Sequence, residues 1–159
     1  MQLQVGVKAL LQNSEGKYLL IKRNPETYTG VSARWDLPGG RIEAGASLLE
    51  NLKREIKEET NLDLLKEPRL IAAQDIFASL IADSRGLHAE ERRMKTKMET
   101  SKRETFHVVR LTYTGEIEGD VILSKEHTDF RWVTFEELKI FEPLDSYVKK
   151  LLEEGVIRE

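Results

Sequence analysis

The chain has 159 residues, enough for one domain with a sizeable core and too few for two comfortable ones. Its 25 basic and 28 acidic side chains nearly cancel, to −3, so no overall field draws it to nucleic acid or to an anionic membrane, and an anionic substrate must be held by local charge. Cysteine is absent, which excludes disulfides and thiolate metal sites; with no basic start or apolar run in Met1 to Leu10 and no stretch long enough to span a bilayer, a soluble cytoplasmic protein is the expectation.

Leu3 to Gln12 alternates and is rich in aliphatic residues, Asn13-Ser14-Glu15-Gly16 supplies a turn, and Lys17 to Lys22 is apolar again, so the chain is expected to open with a β-hairpin. Its second strand ends in Lys22-Arg23. The loop from Asn24 to Arg34, with Pro25, Tyr28 and Gly30, could border a site. Trp35 begins a short strand followed by a Gly39-Gly40 turn, and it could either stack on a nucleobase or fill the core.

A helix follows. Ser47 and Glu50 form the S-x-x-E capping box, in which each side chain satisfies a backbone NH at the helix start, so the helix should begin at Leu48. Thr60 and Asn61 weaken its far end, and Asn tolerates the left-handed conformation of a helix cap. At about 100° per residue, Leu48, Leu49, Leu52 and Ile56 make the apolar stripe. Glu59 projects inside that stripe, Glu55 lies at its border and only Glu58 sits well away. All three crowd the end of the helix where the macrodipole is already negative. A solvated acidic face balanced by Lys53, Arg54 and Lys57 accounts for Glu58 but not for Glu59, which needs a compensating positive charge. Grouped carboxylates are hard oxygen ligands, so the fitting ion is Mg²⁺ or Mn²⁺.

Beyond the helix, Leu70 to Phe77 and Phe106 to Tyr113 read as strands. Between them, at about 79–104, lies an insertion with seven basic and five acidic residues, in which Leu87, Glu91, Met94 and Met98 recur at helical spacing. A solvated hairpin tip is the expectation, with a lid or a homodimer arm as the alternatives. Thr114 to Asp120 reads as a turn, Val121 to Leu123 as a short strand, Ser124 to Asp129 as a polar loop carrying Glu126 and His127, and Phe130 to Val133 as a strand. Thr134 and Glu137 repeat the capping box for a short helix, and Asp145 caps a last helix with Tyr147, Val148, Leu151 and Leu152 on its apolar face. This order implies an α/β fold with a mixed sheet covered by helices on both sides, 1–159 forming one domain. His88, His107 and His127 show no zinc spacing, and neither a P-loop nor a Gly-x-Ser-x-Gly elbow occurs.

The stretch from Gly40 through Arg54-Glu55-Ile56-Lys57-Glu58-Glu59 to Leu62 resembles the box of the Nudix hydrolases: Gly, five residues, Glu, seven residues, then Arg-Glu-aliphatic-x-Glu-Glu-x-Gly-aliphatic. RWDLPGG before it and EHTDFRWVTFEEL far downstream also resemble segments of that family. Two positions depart from the pattern, Ala46 in place of Glu and Asn61 in place of Gly. The resemblance implies a MutT-like α/β/α sandwich with a mixed central sheet. It further implies Glu58 and Glu59 as metal ligands, Glu55 sharing a metal or orienting water, Arg54 steadying the cluster through Glu50, Glu58 and Glu55, and a Gly40 carbonyl near the ion. Glu126 would supply a base, while Lys22, Arg23 and Arg34 would face phosphates.

The activity so implied is Mg²⁺- or Mn²⁺-dependent hydrolysis of a nucleoside diphosphate linked to another group, a small-molecule nucleotide being the partner. A nucleoside triphosphate is the plainest substrate. ADP-ribose or another nucleotide sugar is the alternative, ADP-ribose being disfavoured because Pro68 lies too close to the box. A non-catalytic nucleotide-binding module is the reading that Ala46 favours.

Overall fold

The computed structural model describes residues 1–27, 34–79 and 105–159. The expectations for Tyr28, Gly30 and the charged insertion from 80 onward lie outside the described residues. The elements are β1 (Gln2–Gln12), β2 (Tyr18–Arg23), β3 (Trp35–Asp36), β4 (Gly39–Arg41), α1 (Leu48–Thr60), β5 (Arg69–Ser79), β6 (Thr105–Glu116), β7 (His127–Val133), α2 (Phe135–Ile140) and α3 (Ser146–Glu153). One seven-stranded sheet runs β3-β2-β1-β6-β5, with β4 pairing β1 and β7 pairing β2. β1 and β6 are parallel in unbroken register from Gln2↔Phe106 to Gln12↔Glu116, while the other pairs are antiparallel, so the sheet is mixed.

Period-two alternation sends the side chains of each central strand to two different cores. Val7, Ala9 and Leu11 of β1 and Leu19 and Ile21 of β2 pack with Leu52 and Ile56 of α1. Leu10 of β1 and Tyr18 and Leu20 of β2 pack instead with Trp35, Leu37, Leu138 of α2, and Val148 and Leu151 of α3. Helices therefore cover both faces, the expected α/β/α sandwich. Each buried leucine or isoleucine in these layers contributes about 1.5–3 kcal/mol relative to exposure. No helix among the described residues is long and apolar enough to cross a membrane.

Several expected boundaries shift. Gly39 and Gly40 are not a turn but pair with Lys8 and Val7 as part of β4. Leu48 is exposed rather than buried, because α1 turns its first residue away from the sheet. β6 continues to Glu116, through residues expected to turn, because its parallel partner β1 runs on to Gln12 and pairs with it there. Val121 to Leu123 is not a strand: the Ile122 amide donates to the Thr60 carbonyl at the end of α1 (3.0 Å) instead of joining a ladder. β7 starts at His127, three residues before the expected Phe130, because β2 is long enough to pair that far.

Candidate active site

The helix that carries the acid cluster is fixed at both ends by its own sequence. The Ser47 hydroxyl accepts from the Glu50 amide (3.2 Å) and the Glu50 carboxylate accepts from the Ser47 amide (2.7 Å). Asn61 closes the helix in the left-handed conformation, at φ 61°. The preceding loop is braced from inside by Asn51, fully buried, whose Oδ1 accepts from the Glu43 amide (2.8 Å) and whose Nδ2 donates to the carbonyls of Ala46 (3.2 Å) and Ser47 (2.9 Å). Ala46 itself is exposed, so the loop keeps its shape without a carboxylate at that position.

The three acids occupy three environments, as the helical wheel requires. Glu59 is buried, and its Oε2 accepts from the Gly39 amide at 2.7 Å. Burial pushes its carboxyl up to about 8, against the opposing pull of Lys8 and of that amide. Glu55 is half-buried; burial raises its carboxyl, and Arg54 at 3.0 Å opposes the rise. Glu58 is exposed and meets Arg54 at 3.3 Å. Arg54 also approaches Glu43, at 3.7 Å, but not the expected Glu50, whose carboxylate is committed to the cap.

Both glycines of β4 are required by close approach. A Cβ on Gly40 would lie 2.7 Å from Oε2 of Glu55, so the carboxylate fills the space a side chain would need. Gly39 sits at φ +142°, and a Cβ there would lie 2.0 Å from the Val7 carbonyl oxygen.

The pairing of β7 with β2 brings a second set of groups to the same place. The Asn24 amide donates to the Glu126 carbonyl (2.9 Å), and Arg23 pairs with His127 across a β-bulge. One ligand atom from each of Glu59, Glu126 and His127 lies within 4.8 Å of the other two. Burial, with the Lys8 and Arg23 charges nearby and Asp36 opposing, lowers the His127 ring to about 4, so the imidazole is neutral.

A buried charge network lies alongside. Asp36 accepts from Lys8 (2.9 Å), Arg23 (2.5 Å) and Arg110 (3.1 Å). Arg110 reaches on to Asp145 (3.0 Å), which also caps α3 by accepting from the Tyr147 and Val148 amides. Burial alone would raise the Asp36 carboxyl, but Lys8, Arg110 and Arg23 together hold it well below the usual carboxylate range. Three cations face two carboxylates, leaving the network with a surplus positive charge. Lys8, Arg23, Arg110 and Asp145 line one cleft of about 460 Å³ with Gly40, Arg54, Glu55, Glu58, Glu59, Glu126 and His127, a size that suits a small-molecule ligand.

The family model described as NUDIX domain matches residues 2–154. The chain belongs to that family. Nudix relatives include the nucleoside triphosphatase NudI of Salmonella paratyphi B, 29% identical over 135 residues that span 84% of this chain and 83% of the relative. Among solved structures, the MutT protein from Methanosarcina mazei Go1 superposes with a TM-score of 0.70 at 26% identity, covering 96% of this chain and 92% of the other. The MutT NUDIX hydrolase from Burkholderia pseudomallei shares the fold, with a TM-score of 0.66 at 23% identity and coverage of 96% and 98%.

Of the residues expected at a Nudix site, Gly40, Arg54, Glu55, Glu58, Glu59, Arg23 and Glu126 line the cleft together. Trp35 does not: it is buried in the core on the other side of β2, edge-on to Phe141 with ring centroids 5.4 Å apart, because β3 pairs with β2 and turns the indole inward. Arg34 and Lys22 are also absent from the described lining: Arg34 precedes β3, and Lys22, paired with Trp35 and Asp129, alternates to the face opposite Ile21. Sequence reasoning missed Lys8, Asp36, Arg110 and Asp145 as a network and His127 as a neighbour of the acids. One signal was available, a lone cation inside an otherwise apolar strand, as in VGVKALL and HVVRLTY.

Proposed function

We propose that this chain hydrolyses a phosphoanhydride bond in a nucleoside diphosphate linked to another group, and that a nucleoside triphosphate, cleaved to monophosphate and pyrophosphate, is its substrate. The observation that carries this reading is the convergence of Glu55, Glu58, Glu59 and Glu126 in one cleft with Lys8, Arg23 and Arg110. The donor set fits Mg²⁺ or Mn²⁺: a buried carboxyl at Glu59 pushed up to about 8 is stabilised as its anion by a cation, and the Glu55 carboxylate packs against the Gly40 backbone where a side chain would otherwise stand. Glu55, Glu58 and Glu59, with the Gly40 carbonyl, would hold the ion, which when bound supplies charge to the phosphates and acidifies water.

The chain's own groups divide the remaining tasks. The Gly39 amide fixes the Glu59 carboxylate, and Arg54 with the Gly40 backbone fixes that of Glu55, so both are oriented before substrate arrives. Glu126, which lines the same cleft, would take a proton from the attacking water. Arg23, backed by Asp36, presents fixed positive charge to the phosphates. The name of the NudI relative supports a triphosphate over ADP-ribose. Ala46 would favour a non-catalytic binding module, but Asn51 braces the loop at that point and the acids are intact.

The test is incubation with ribo- and deoxynucleoside triphosphates and ADP-ribose in Mg²⁺ or Mn²⁺, with products separated by anion exchange. Monophosphate and pyrophosphate are expected, and Glu59→Gln should lower turnover by ~10²-fold or more with thermal unfolding still cooperative. No turnover of any nucleotide, or full activity in Glu59→Gln, would sink the reading.

A further inference from the structure

The hydrolase reading leaves His127 without a task, yet its position is built rather than incidental. Unbroken register would set Arg23 opposite Thr128; the bulge between Lys22 and Arg23 sets it opposite His127 instead. The residue is 9% exposed, and its Nδ1 is buried with no hydrogen-bond partner among the described residues. A buried ring nitrogen without a partner costs free energy unless something else satisfies it. Beside the ring lie oxygens of Glu59 and Glu126, close enough, within 4.8 Å, for all three side chains to reach one ion.

We propose that His127 supplies a nitrogen ligand to a divalent cation shared with Glu59 and Glu126, making this corner of the cleft a mixed nitrogen-oxygen site that takes Mn²⁺, Co²⁺ or Zn²⁺ in preference to Mg²⁺. Magnesium holds to oxygen and water, whereas imidazole suits the borderline transition ions. Glu55 and Glu58 offer oxygen alone, so the box carboxylates remain suited to Mg²⁺. Glu59 stands between the two sets: one oxygen is engaged by the Gly39 amide, which leaves lone pairs on the carboxylate for a cation. The cleft therefore offers two positions of different cation preference joined through one carboxylate. This rests on the cation-dependent reading above for Glu59; Glu126, given there as the base, would bind through one carboxylate oxygen and keep the other for the proton.

The experiment is pulsed EPR of Mn²⁺ added to the full chain without nucleotide, comparing protein labelled with ¹⁵N-histidine with protein of natural abundance. Nitrogen coupling that changes with the isotope is expected in the unsubstituted chain, retained in His107→Ala and lost in His127→Ala. Mn²⁺ affinity, titrated by EPR, should weaken ~10-fold or more in His127→Ala, with Mg²⁺ affinity changing much less. Bound Mn²⁺ without histidine coupling in the unsubstituted chain would overturn the proposal, as would no binding of Mn²⁺, or coupling that survives His127→Ala. The unsubstituted measurement does not depend on how any variant folds. It also separates the two readings: loss of coupling leaves Mg²⁺-dependent hydrolysis standing, and a failure to hydrolyse any nucleotide leaves the coupling standing.

Discussion

The three helical carboxylates of the cleft, Glu55, Glu58 and Glu59, come with Gly40 from one continuous stretch, β4 through the end of α1, whereas the charge network beside them draws Lys8, Arg23, Asp36, Arg110 and Asp145 from five separate segments. The capping box that sets the helix joins residues three apart. The two bonds that hold Arg110 span 74 and 35 positions. A short-range device can orient a carboxylate on its own, but a buried cation with two anionic partners exists only when the whole sheet has formed. The first region should therefore fail locally and the second globally.

The largest effect expected from breaking that contrast is at Arg110. Arg110→Leu removes the cation that bridges Asp36 and Asp145 and leaves two buried carboxylates under-compensated, so urea unfolding should show a loss of about 3–5 kcal/mol. A loss below ~1 kcal/mol would mean that Lys8 and Arg23 carry the network unaided.

An intermediate effect should appear as a pH dependence of the cation-free protein. Glu59 is raised from 4.5 to about 8, so between those values the folded state holds a proton the unfolded state has released, and stability falls as pH rises. His127 is lowered from 6.5 to about 4, so its contribution runs the other way, present above 6.5 and lost as pH falls toward 4. The two oppose each other below 6.5, and above it the fall due to Glu59 is no longer opposed by His127. Unfolding free energy in chelator should therefore decline from pH 6.5 to 8, by at most about 1.4 kcal/mol per pH unit, and the decline should vanish in Glu59→Gln. Stabilisation by added divalent cation should correspondingly be greater at pH 8 than at pH 6.5.

The smallest effect belongs to the local device. Ser47→Ala removes one cap from an exposed helix start and should cost about 1 kcal/mol in thermal unfolding, leaving the charge network intact. If Ser47→Ala destabilised the chain as much as Arg110→Leu, the contrast between the two regions would be wrong.

The same contrast governs what was legible in the sequence. The helix from Leu48 to Thr60, its Asn61 cap, the graded burial of Glu59, Glu55 and Glu58, and the capped helices after Thr134 and Asp145 all follow from rules that act within a few residues. Arg110 and Lys8 are different. Each reads as an interruption of an apolar strand, and which carboxylate answers it depends on strand order, which local rules do not give. Trp35 was ambiguous for a related reason, since the pairing of β3 decides which side an indole faces. His127 carries no signal along the chain because zinc motifs depend on the spacing of like ligands, whereas its neighbours are carboxylates, Glu126 beside it and Glu59 on a distant helix.

The parallel pairing of β1 with β6 sets Gln2 to Gln12 against a strand that ends at Glu116, about a hundred positions further on. During synthesis the backbone amides on that side of β1 have no ladder to join until the residues of β6, as far as Glu116, have left the ribosome. Closing so wide a loop before any contact rewards it slows folding and lengthens the time an aliphatic strand stays bare. Early self-association of nascent chains, rather than instability of the finished protein, is the hazard this topology carries, and the charged residues of Lys53 to Glu59 emerge well before that strand is covered.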